Sequence, residues 1–188
     1  MSDKVILSKT GDIATLTLNR PEKGNAVDSD LMTALIDCLM NVVADRALRL
    51  LILEGRGEHF CSGREQDVPR PENATQFAEA LNRIVHVNRL LQSFPGISMA
   101  MVQGKAFGFG CGLAIQSDVT LAAQDARFAF PEINAGFPPT IVMSYLGRWI
   151  NRKKALELVM TGGELTAEEG RLEGLVNRVV SLNQLADE

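Results

Sequence analysis

Two short runs constrain this chain most: Leu50-Leu51-Ile52-Leu53 and Met99-Ala100-Met101-Val102, each continuously apolar and each followed by glycine-bearing sequence. Continuous apolar runs of this length suit strands buried on both faces. A third strand, residues 13–18, alternates and is rich in β-formers, with residues 5–9 as its hairpin partner across Thr10-Gly11-Asp12. Helical spacing appears between the strands. Leu31, Leu35, Cys38, Leu39 and Val42 form one apolar stripe behind an N-cap at Asp28. Phe77, Leu81, Ile84, Val87 and Leu91 point inward from a second helix over 74–92, which Pro95-Gly96 ends. A glycine-rich stretch over 104–112 leads into a helix through Ser117. Further strands are expected at 119–122, 127–130 and 176–180, and helices at 141–149 and 153–160. Thr166-Ala167-Glu168-Glu169 is a capping-box pattern that opens one more short helix. Strands alternating with helices define an α/β domain. With no repeat, low-complexity tract or linker, residues 1–188 are expected to form a single domain. The ending 181–188 reads as a helix start rather than a domain end, so truncation at the C-terminus is expected.

Charge and composition exclude several classes. Nineteen Lys and Arg against 23 Asp and Glu leave a formal charge of −4, which speaks against a nucleic-acid footprint. Arg152-Lys153-Lys154, preceded by Arg148, reads as a solvated helix face. Cys38, Cys61 and Cys111 show no CxxC spacing, and an odd count does not suit a disulfide framework, so reduced thiols in a cytoplasmic protein are expected. His59 and His86 lie far apart, and no metal site is expected. No signal-peptide pattern is visible, and no apolar run approaches the roughly 20 residues that span a bilayer.

Two glycine turns follow the two buried runs: Phe60-Cys61-Ser62-Gly63-Arg64, and Ala106-Phe107-Gly108-Phe109-Gly110-Cys111-Gly112. Free N–H groups at such turns and at a helix N-terminus point at negative charge. Two together can hold one oxygen, as an oxyanion hole does; tight packing alone is the other reading. Leu113 breaks a dinucleotide fingerprint, Ala106 after Gly104-Lys105 breaks a P-loop, and GxSxG is absent. In Phe128-Ala129-Phe130-Pro131-Glu132-Ile133 one carboxylate stands among aromatic and apolar residues. Burial there makes Glu132 a better base near neutrality; an exposed acid at a turn is the alternative.

In order, these segments resemble the enoyl-CoA hydratase/isomerase (crotonase) family over nearly the whole chain. Residues 18–26 resemble its opening loop, which wraps coenzyme A; Lys23, Asn25 and Ala26 are the substrate-binding residues this implies. Residues 60–64 and 104–118 resemble its two oxyanion segments, with N–H donors on Arg64 and Phe109 and with Ser62, Gly63, Gly108 and Gly112 against the substrate. Phe130-Pro131-Glu132-Ile133 resembles the segment with a catalytic glutamate, here Glu132. Residues 161–180 resemble the family stretch "TG…ltAeEA…GLVnrVV". The resemblance implies a spiral of β-β-α units with two nearly perpendicular sheets, an acyl-CoA thioester substrate, no separate cofactor, and a homotrimer or hexamer. It also implies a C-terminal helical region that is largely absent here.

Family hydratases carry a second glutamate where this chain has Gly112. Hydration benefits from two carboxylates, whereas moving a double bond needs one, so an isomerase is favoured over a hydratase. Decarboxylation, thioester hydrolysis, dehalogenation and a non-catalytic acyl-CoA-binding role stay open. The Arg64 side chain is expected in solvent, against Glu65 or Asp67, at a phosphate, or at an acidic acyl group. Met99, Met101, Phe137 and Met143 are candidates for the acyl pocket lining or for plain core.

Overall fold

The computed structural model describes residues 3–65 and 72–185. In chain order the elements are β1 (Val5–Thr10), β2 (Ile13–Leu18), α1 (Ser29–Ala44), β3 (Leu50–Gly55), α2 (Ala74–Ser93), β4 (Ile97–Val102), β5 (Lys105–Phe107), α3 (Phe109–Gln116), β6 (Val119–Ala123), β7 (Arg127–Ala129), α4 (Thr140–Met143), α5 (Arg152–Thr161), β8 (Glu164–Thr166), α6 (Ala167–Glu173) and β9 (Arg178–Val180). Six strands form one sheet in the order β1-β2-β3-β4-β6-β9, and β5-β7-β8 form a second. The large sheet is parallel except for the β1–β2 hairpin.

The hairpin, the Asp28 cap and the capping box at Thr166 form as the sequence predicts. Asp28 accepts the Leu31 N–H at 2.8 Å, and Glu169 Oε2 accepts the Thr166 N–H at 2.8 Å. Leu31, Leu35, Leu39 and Val42 bury the inner face of α1, with Cys38 at the edge of the stripe. They meet Leu16, Leu51, Leu53, Ala100 and Val102 from the large sheet in one core.

Several expectations change. Leu50, Ile52, Met99 and Met101 are half-buried, not enclosed, because their face of the sheet has a thinner cover. There Met99 and Met101 pack with a small second cluster of Leu121, Ala123, Val180 and Leu185. The expected inward Phe77 is 44% exposed, since the first turns of α2 overhang the core. The helix expected over 141–149 breaks into α4 and a 3-10 turn at Leu146–Arg148. Tyr145, at φ −133°, leaves the helical region between them. The glycine-rich stretch itself holds β5 and the first turn of α3. The ending holds a 3-10 turn at Leu182–Gln184 where a helix start is expected. Among the described residues no helix is long and apolar enough to cross a membrane.

Candidate active site

The strand β5 brings the site together. The segment before Gly63 runs alongside it: Cys61 N–H donates to Lys105 O and Phe107 N–H donates to Cys61 O, both at 2.9 Å. On its other side β5 pairs in parallel with β7, Phe107 opposite Ala129. Gly108 N–H then donates to Ala129 O at 2.8 Å. Three residues past Ala129, at the start of the 3-10 turn Pro131–Ala135, stands Glu132. Phe137 N–H donates to Glu132 O at 3.0 Å and fixes its backbone.

Both glycine turns need glycine. Gly63 has φ +104°, and a Cβ there would meet Phe107 O at 3.1 Å. Gly108 has φ +51°, and a Cβ would lie 3.0 Å from the Glu132 carboxyl carbon and nearer still to its Oε1. A Cβ on Gly110 would overlap Cys61 O, so the first turn of α3 abuts the Gly63 segment. Among the described residues the N–H groups of Arg64 and Phe109 donate to no protein acceptor. The Phe109 N–H belongs to the first turn of α3, where donors lack intrahelical partners.

Glu132 Oε2 is buried and, among the described residues, is the one such side-chain oxygen or nitrogen without a hydrogen-bond partner. Burial raises the Glu132 pKa; its own backbone N–H and the Arg64 charge pull it partly back. The Arg64 guanidinium is therefore within electrostatic reach of Glu132. Its expected partner Glu65 is taken by Arg20, at 2.8 and 3.2 Å, and Asp67 lies outside the described residues. The exposed-acid alternative for Glu132 does not hold.

The opening loop is stitched to the first turn. Ser62 N–H donates to Gly24 O at 2.9 Å, and Val27 N–H donates to Gly63 O at 2.8 Å. The Ser62 hydroxyl donates to Lys23 O at 3.3 Å. Lys23 is exposed and Ala26 half-buried on this loop. Asn25 is fully buried, at φ +57°. It accepts the Arg20 N–H at 2.8 Å and donates to Arg56 O at 3.0 Å and His59 O at 2.7 Å. Its side chain is consumed inside the protein, so it shapes the loop instead of reaching a ligand.

Of the pocket-lining candidates, Met99 and Met101 pack instead with the second cluster. Phe137 and Met143 are exposed, and the backbone of Phe137 adjoins Glu132. Two cavities, of about 50 Å³ beside Trp149 and about 180 Å³ beside Met101 and Leu185, lie away from Glu132. No group of three or more His, Cys, Asp or Glu able to hold a metal occurs among the described residues.

Sequence reasoning missed Tyr145. Its hydroxyl would lie 3.1 Å from a Cβ on Gly112. Burial raises its pKa, helped by the Cys111 thiol and Glu132 and opposed by the nearby amides of Gln116 and Asn88. Asn88 left a signal as a polar residue beside the apolar stripe of α2; Tyr145 left only its singularity, as the one tyrosine of the chain.

Residues 8–188 match the family model described as enoyl-CoA hydratase/isomerase. A probable enoyl-CoA hydratase of Mycobacterium bovis is 36% identical over 94% of this chain, which spans 65% of that protein's length. A 1,2-epoxyphenylacetyl-CoA isomerase of Escherichia coli is 32% identical, covering 93% of this chain and 69% of its own. A crystal structure of an enoyl-CoA hydratase from Mycobacterium smegmatis superposes with a TM-score of 0.95 at 30% identity, over 99% of this chain and 73% of that one. The fold is thus that of the crotonases, and the chain belongs to the enoyl-CoA hydratase/isomerase family.

Proposed function

We propose that this chain binds an acyl-CoA thioester and shifts its double bond from C3=C4 to C2=C3, with Glu132 as the single proton shuttle. The observation that carries this reading is the buried, unpartnered Glu132 oxygen over Gly108, with glycine, not a second carboxylate, one turn along α3. The opening loop with Lys23 and Ala26 receives the coenzyme A moiety. The thioester carbonyl lies between the N–H groups of Arg64 and Phe109. Glu132 takes a proton from C2 as the C2–H electrons move into the dienolate, whose charge rests on the thioester oxygen. The same carboxyl returns the proton to C4. One lost oxyanion donor typically costs about 10²–10³ in rate. A homotrimer or hexamer is part of the proposal, to be checked by light scattering.

Incubation with a 3-enoyl-CoA, followed by the absorbance of the conjugated 2-enoyl thioester, tests the reading. Glu132→Gln is expected to remove turnover, a loss of about 10²–10⁴, while acyl-CoA affinity holds. Turnover within a few-fold of the unaltered protein would eliminate Glu132 as the base. Hydration is the second reading, favoured by relatives named as hydratases. It predicts a 3-hydroxyacyl-CoA from a 2-enoyl-CoA.

A further inference from the structure

A trans peptide unit holds its C=O and N–H antiparallel in one plane, so gripping the oxygen aims the hydrogen. The Arg64 N–H shares its peptide with Gly63 O, which accepts the Val27 N–H at 2.8 Å. The Val27 N–H shares its own peptide with Ala26 O, which accepts an N–H of Arg20 Nη1 at 3.0 Å. One unbroken line therefore runs from the Arg20 guanidinium through two peptide units to the Arg64 N–H. Val27 and Arg64 form a parallel bridge, closed on its other side by the Glu65 N–H donating to Val27 O at 3.0 Å. Arg20 is itself held in place, its side chain only 13% exposed. Its Nη1 and Nη2 donate to the two Glu65 oxygens at 2.8 and 3.2 Å, and Asp28 Oδ2 lies 3.3 Å from Nη1.

Hydrogen bonds in a chain polarise one another and strengthen by about 10–30% each, and a charged donor at the head adds to this. Resting on the oxyanion reading above, we propose that Arg20 is a positioning residue for the reaction. Through the peptides joining 26 to 27 and 63 to 64, it aims and polarises the Arg64 N–H toward the thioester oxygen. The gain falls on the transition state, where that oxygen takes up the enolate charge. A donor carrying about 10²–10³ of the rate, weakened by 10–30%, costs about two- to eightfold in kcat. Affinity for the uncharged thioester changes by less than about twofold.

Hexanoyl-CoA with ¹³C at the thioester carbon, bound and read by difference infrared, reports the donors on its carbonyl. The downshift of that stretch on binding is expected to shrink by about 10–30% in Arg20→Gln and to return in Arg20→Lys. Turnover of a 3-enoyl-CoA should follow the same order while the hexanoyl-CoA Kd holds. Lys4→Met is the control: Lys4 meets Asp28 at 2.6 Å, off the line through Ala26 and Gly63, so both readouts should stay as they are. In the unaltered protein, the Val27 amide proton is expected to move downfield when hexanoyl-CoA replaces coenzyme A alone. A bonded carbonyl at one end tightens the whole line, and this readout needs no variant. An unchanged downshift in Arg20→Gln, with or without weaker binding, would overturn the role of Arg20 and leave the oxyanion reading intact. So would a Val27 proton placed equally by the two ligands. Hexanoyl-CoA bound to the unaltered protein with no carbonyl downshift removes both.

Discussion

Gly108→Ala separates the two demands placed on the second turn. The backbone there sits at φ +51° and ψ −113°, where a side chain costs about 1–3 kcal/mol. For a chain of this size, each kcal/mol shifts the melting temperature by roughly 2–4 °C, so a fall of about 2–12 °C is expected. The new methyl also meets the Glu132 carboxyl carbon at 3.0 Å, short of the 3.4 Å where ordinary contact begins, with Oε1 closer again. The carboxylate must withdraw by up to about 1 Å, and a displacement of that size can cost about 10² in rate. Gly11→Ala is the control, at φ +59° with nothing within 4 Å of its Cβ. It also places a side chain at positive φ, without touching the site. Thermal melts and the 3-enoyl-CoA assay on both variants decide the matter. Melting losses in both with activity lost only in Gly108→Ala support the geometry. Full activity in Gly108→Ala would refute the placement of Glu132 against this turn.

Other consequences are open to measurement. The Glu132 pKa is raised in the folded chain above its ordinary 4.5, so its ionisation opposes folding as pH rises through that folded value. Glu132→Gln should therefore melt higher than the unaltered protein at pH 7, with the difference closing below about pH 4.5; a constant difference would contradict the burial. Proposed turnover should rise with pH through the same raised pKa, and a rate already flat from pH 4 upward would oppose Glu132 as base. Asn25→Ala removes three buried hydrogen bonds, a loss of about 3 kcal/mol, so its denaturation midpoint should fall markedly. Burial pushes the Cys61 thiol up to about 12 and Cys111 well above its ordinary range. In the native protein a thiol reagent should reach half-buried Cys38 alone, and all three thiols in denaturant.

Much of this architecture was legible because its signals are local. A cap at Asp28, a capping box at Thr166 and the alternation of β2 depend on neighbours within one turn or one strand. The order of glycine turns and Glu132 was legible too, since each follows directly from a strand. What escaped is what distant packing decides. Whether the second face of β3 and β4 is covered depends on elements far along the chain, so Leu50 and Met99 read as more enclosed than they are. Asn25 looked like a ligand contact, yet its amide closes a loop against residues more than 30 positions away. Tyr145 could not be placed because the helix expected around it breaks, and the break turns its ring inward toward α3.

The 3.1 Å between the Tyr145 hydroxyl and a would-be Gly112 Cβ makes two distant positions compete for one space. A side chain entering at 112 meets the end of the phenol, which must shift to admit it. Gly112→Glu alone is therefore expected to displace the ring at 145, and a smaller residue at 145 to restore the room a second carboxylate needs.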